Sequence, residues 1–180
     1  LLDGTTLISN TADDGGAIAS ARQLDVTGAV LTGNVAASRG GGLFNDDVGV
    51  ANVTATRIVG NTSDGDGGGL YVTDNSDVTF SFLTIENNRA AGNGGGVFNA
   101  TQTSSSSGVA AFELSETLLV GNVAVGDGGG FYNSDLGDAV LANVTFGQNV
   151  ADNGGGLANN GNLVLTHSTV YENEAEAELA

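Results

Sequence analysis

Six times along this chain a run of glycines is closed by an apolar residue. The runs are Gly15-Gly16-Ala17-Ile18, Gly40 to Leu43, Gly67 to Leu70, Gly94 to Val97, Gly128 to Phe131 and Gly154 to Leu157. Five or six residues before each run stands an Asn, itself three positions after an apolar residue. These pairs are Leu7/Asn10, Leu31/Asn34, Ile58/Asn61, Ile85/Asn88, Leu119/Asn122 and Phe146/Asn149, and Val170/Asn173 starts a seventh copy. The Asn-to-Asn spacings are 24, 27, 27, 34, 27 and 24. A fixed order of signals at such a period means stacked supersecondary units. Helical units are excluded, because each glycine inside a helix costs about 1 kcal/mol and every unit carries two or three.

The segments before each Asn alternate instead. Apolar residues two apart recur as Leu24/Val26, Ala51/Val53, Val78/Phe80, Phe112/Leu114, Ala139/Leu141 and Leu163/Leu165. Period-two patterning rich in Val, Thr and Phe reads as strand. Each unit is then one coil of short strands joined by tight turns. The expected fold is all-β: a right-handed parallel β-helix of about seven coils of 24–34 residues, forming one domain over 1–180. The right hand rests on the chirality of parallel crossovers. In such a solenoid, equivalent residues stack roughly 4.8 Å apart. Asn10, Asn34, Asn61, Asn88, Asn122, Asn149 and Asn173 therefore form an expected amide ladder. The pairs Gly15 and Gly16, Gly41 and Gly42, Gly68 and Gly69, Gly95 and Gly96, Gly129 and Gly130, and Gly155 and Gly156 are the expected sharp turns, where positive φ or close backbone approach favours glycine.

All excess length between repeats falls after the glycine run. The largest excess contains the polar segment 101–108, Thr-Gln-Thr-Ser-Ser-Ser-Ser-Gly, of flexible-linker composition. An acidic tail spans 174–180. Insertions confined to one point of a repeat map to one side of a solenoid, often the binding side.

Charge narrows the function. The chain has 21 acidic residues, 4 Arg and no Lys, for a net charge of −17. That excludes nucleic acid and anionic membrane surfaces as electrostatic partners. No apolar run reaches the ~18 residues of a membrane-spanning helix. Zero Cys excludes disulfides, cysteine zinc sites and thiol nucleophiles.

Catalytic patterns are thin. His167 is the single His, and Arg22, Arg39, Arg57 and Arg89 share no repeat position in adjacent coils. The pairs Asp13-Asp14 and Asp46-Asp47 have the carboxylates a glycosidase needs, but adjacent strand residues point oppositely. Asp is also an ordinary turn residue. No catalytic residue is assigned. Oxygen-rich turns fit Ca²⁺ better, with Asp14, Asp64, Asp66, Asp127 and Asp152 as the candidate ligands, and a solvated acidic face as the competing reading. No other cofactor is expected.

The F-x-x-N and G-G-A-I pair resembles the repeat of the polymorphic outer membrane proteins and related bacterial right-handed β-helix proteins. Phe146-Gly147-Gln148-Asn149 carries the first element and Gly15-Gly16-Ala17-Ile18 the second. The other copies carry Leu, Ile or Val for Phe and Gly for Ala. The resemblance implies an extracellular or cell-surface location and adhesive, autotransporter-passenger roles.

The sequence starts inside a strand of the first repeat and stops before a seventh glycine run. Neither end carries an evident cap, which a solenoid needs. Either neighbouring segments cap it, or one open end stacks on the other and builds a filament. The expected function is a non-enzymatic extracellular structural protein, a subunit or segment of a surface fibre assembled by end-to-end self-association. The alternatives are an adhesin module contacting a host or carbohydrate ligand through the 101–108 side, and a polysaccharide-active enzyme.

Overall fold

A computed structural model describes residues 1–46, 50–74, 77–101 and 112–176. These residues contain strands and turns and no helix, hence no helix long and apolar enough to cross a membrane. One coil shows the pattern of all. Strands Val50–Thr54, Arg57–Val59, Thr62–Ser63 and Leu70–Asp74 follow one another, and each joins a different sheet. All pairings between coils are parallel, so the chain is a parallel β-solenoid with four walls.

Three walls have seven strands and the fourth has six. The solenoid therefore has six complete coils, not the seven expected from counting Asn residues. The seventh copy supplies Asn162–Thr166, Thr169–Tyr171 and Glu174–Ala175. Among the described residues no fourth-wall strand follows Glu174–Ala175.

The repeats align in strict register. Leu7, Leu31, Ile58, Ile85, Leu119, Phe146 and Val170 form one column of the second wall. Ile18, Leu43, Leu70, Val97, Phe131 and Leu157 form one column of the fourth. These columns and the alternating pairs of the first wall make one continuous core, from which Leu165 and Val170 of the seventh copy are left exposed. Its largest side chains sit mid-solenoid, where Phe80 meets Phe112 edge-on at 5.5 Å and Phe112 lies 5.5 Å from Phe131. The third wall is thin. Its buried residues are Ala36, Ser63, Ala90, Ala124 and Ala151, which lets the neighbouring glycine corner come close. The polar insertion falls between the fourth-wall strand Val97–Thr101 and the first-wall strand Phe112–Ser115; its residues 102–108, like 177–180 of the acidic tail, lie outside the described residues.

Candidate functional site

Three of the four wall-to-wall turns are each made by a single residue in the left-handed region. Between the first and second walls these residues are Gly4, Gly28, Ala55, Phe82, Glu116, Asn143 and His167. Between the second and third they are Ser9, Gly33, Gly60, Asn87, Gly121, Gln148 and Glu172, and between the third and fourth Gly15, Gly40, Gly67, Gly94, Gly128 and Gly154. The glycine pairs are expected to serve either positive φ or close backbone approach. In five coils positive φ belongs to the glycine before the pair, and Gly15 alone of the expected set has it. The pair serves close approach. A Cβ on Gly68 would run into the Gly95 carbonyl oxygen, and one on Gly69 into the Gly96 carbonyl and the Asn88 amide.

The Asn ladder runs the length of the solenoid. Asn34, Asn61, Asn88, Asn122 and Asn149 are fully buried. The Asn88 Oδ1 accepts both the backbone N–H and the side-chain amide of Asn61, each at 2.9 Å. The Asn88 amide donates to Asn122 Oδ1 at 3.0 Å and to the Ile58 carbonyl at 2.9 Å. The same set repeats from Asn10 to Asn173. Every buried amide proton thus has a partner, which is what a buried polar column requires. A second, shorter ladder was missed in the sequence: Asn99 donates to Asn133 Oδ1 at 2.7 Å, and Asn133 to Asn159 Oδ1 at 2.8 Å. Its signal was the Asn two residues after the closing apolar residue of those three coils.

The candidate calcium ligands lie along the glycine corner without converging. Asp14, Arg39, Asp66, Asn93, Asp127 and Asn153 precede the turning glycines. Asp14 is held bidentately by Arg39 at 3.0 and 3.1 Å. Asp66 Oδ1 accepts the Asn93 N–H at 2.6 Å, and Asp127 Oδ1 accepts the Asn153 side-chain amide at 2.8 Å. Carboxylates occupy alternate coils, roughly 9.6 Å apart, which avoids stacking like charges. Asp64 is exposed, and Asp152 stacks on Gly126 rather than on the carboxylates. Among the described residues no group of three or more His, Asp or Glu gathers around a point. His167 sits alone on an exposed corner.

Two features stand out on the exterior. The outward face of the fourth wall carries a stack of the buried Phe44, Tyr71 and Phe98 and the half-buried Tyr132, with successive ring centroids at 5.5, 4.6 and 5.1 Å. The Arg39 guanidinium lies 4.6 Å from the Phe44 ring centroid while gripping Asp14. Hydrogen bonds from Arg39 hold the Asp14 carboxyl below the usual carboxylate range, and burial pushes the Tyr71 phenol up. The second feature is an open groove of about 440 Å³ at the corner between the first and second walls. One side is formed by the corner residues Phe82, Glu116 and Asn143, the other by Thr84, Leu118 and Thr145. The Asn143 amide donates to Glu116 Oε1 at 3.0 Å.

No curated protein and no solved structure matches this chain. A family model does. Residues 82–100, which hold the Ile85/Asn88 pair, the Gly94–Gly96 corner and the exposed Phe82, match the Chlamydia polymorphic membrane protein repeat, so the coil from which this solenoid is built is similar to the repeat of that family.

Proposed function

We propose that this chain is a rod-like, non-catalytic segment of a cell-surface protein, comparable to an autotransporter passenger. The observation that carries this reading is the polymorphic membrane protein repeat at 82–100, whose Asn and glycine positions recur in register through the whole solenoid. A rod with a continuous core and a fully paired amide ladder is stiff, and stiffness suits a part that holds a surface away from a cell. Protease shaving of intact cells tests the location: release of β-helix fragments is expected, and complete protection would sink the reading.

The finer form of the proposal is a fibre built by end-to-end stacking. Its support is that the ladder is self-complementary at every coil, each Asn donating its side-chain amide to the Oδ1 of the next coil and accepting at its own Oδ1 from the coil before. Electron microscopy, with and without EDTA, tests it. Long thin fibres are expected; isolated short rods at high concentration would overturn stacking and leave a passenger that binds a host or carbohydrate ligand. Dissolution by EDTA would place Ca²⁺ at the acidic corner or the junction. Deleting 101–108 separates the two roles, since a fibre survives the deletion and an adhesin using that side loses its target.

A further inference from the structure

Phe82 is the one bulky apolar residue among the left-handed corner positions. Its φ is +55°, and the residue is 63% exposed. A bulky residue in this region is a genuine backbone outlier. Exposure of this extent means its burial returns little. The equivalent positions one and two coils earlier are Ala55 and Gly28, which suit the conformation better. Phe82 therefore costs the fold energy that packing does not repay, and such strain gathers at ligand clamps.

The surroundings define a ligand. Phe82, Glu116 and Asn143 line the groove over three coils, about 10 Å along the axis at the strand spacing. Opposite them stand the Thr84 and Thr145 hydroxyls, with Leu118 between, 37% exposed. The floor is closed by Leu83 and Thr117, which are buried. One apolar ring face beside a carboxylate, an amide and two hydroxyls is a surface for a ligand with an apolar face and hydroxyls around its edge. Two isolated apolar side chains are too few for the buried centre of a protein–protein interface. Glu116 and the net charge of −17 repel anionic chains. We propose that this groove binds a neutral oligosaccharide, with one pyranose ring stacked on Phe82 and its hydroxyls hydrogen-bonded by Glu116, Asn143 and the two threonines. This rests on the surface-exposed, non-catalytic reading above and names a ligand class for it.

The test uses the 180-residue chain with chitotetraose and cellotetraose as probes. Saturation-transfer NMR and calorimetry are run on the wild type, Phe82→Ala and Glu116→Gln. Phe82→Ala is safe for the fold because Ala55 already occupies the equivalent corner. The expected result is binding of at least one probe by the wild type, weakened about tenfold or more by Phe82→Ala, with the thermal midpoint unchanged or raised. Glu116→Gln should weaken binding less. Failure of the wild type to bind either probe, or equal binding by Phe82→Ala, overturns the site and leaves the surface-rod reading intact. Cleavage of a probe would instead overturn the non-catalytic reading on which the site rests.

Discussion

The corner between the third and fourth walls and the corner between the first and second walls bend the chain the same way. Both use one left-handed residue per coil. Their sequences nonetheless differ. The first is glycine in all six coils, and the second holds Gly, Gly, Ala, Phe, Glu, Asn and His in order. Space explains the difference. A Cβ on Gly40 would sit 2.5 Å from the Leu43 carbonyl oxygen, whereas one on Gly4 meets nothing within 4 Å. Left-handed φ alone costs an ordinary residue roughly 1–2 kcal/mol. A backbone clash cannot be relieved without separating coils. The closed corner is thus a packing element, and the open corner is a free display position in every coil.

Substitutions can break this contrast. The largest loss is expected one residue past the open corner formed by Asn87. Asn88→Ala would strand the Asn61 N–H, one of the two Asn61 side-chain amide protons and the Ile58 carbonyl, while the other amide proton keeps the Leu31 carbonyl. At ~1–3 kcal/mol per unsatisfied buried group the loss should exceed about 3 kcal/mol, read as a lower urea midpoint. Gly95→Ala comes next. Its Cβ would lie 2.5 Å from the Val123 carbonyl, so about 3 kcal/mol is expected, or loss of cooperative unfolding. Gly60→Ala, at an open corner with no atom within 4 Å, should cost only about 1 kcal/mol by thermal melting. Equal costs for Gly95→Ala and Gly60→Ala would refute the steric account.

The smallest effect concerns pH. The Asp14 carboxyl is depressed by Arg39, so its contribution is complete above the unfolded value near ~3.9 and is lost as pH falls through the lower folded value. Asp14→Asn should remove that part of the acid sensitivity. Because the side chains of Arg39 and Asp14 are 38% and 29% exposed, screening limits the effect to less than ~1 kcal/mol at neutral pH, measurable by urea titration at pH 3 and 7.

Most of the architecture was legible in the chain. The Asn spacing, the closing apolar residues and the alternating pairs placed four core columns, and all four are in register. The coil count was one too high because an Asn marks the second corner, not a finished coil. The candidate site was much less legible. Phe82 gives no signal of exposure, since the next residue, Leu83, is the buried one. Only the left-handed turn between them throws one side chain outward and the other in.

Alternation between coils was also hidden. Along the closed corner Asp66, Asn93, Asp127 and Asn153 alternate acid with amide. On the first corner Thr56, Leu83, Thr117 and Val144 alternate hydroxyl with apolar residue. The Thr56 and Thr117 hydroxyls accept N–H groups from the preceding coil at 3.3 and 3.2 Å. Neither pattern can be recognised before the register is known.

The sequence by itself determined the repeat, the parallel stacking and the ladder, because these follow from residue types recurring at equivalent positions. Tertiary structure decided which glycine turns the chain and which merely leaves room. It also decided where carboxylates are kept apart and which aromatic stands in solvent. These depend on the atoms of the coil above and below, distant by 24 to 34 residues along the chain, and no local pattern carries that information.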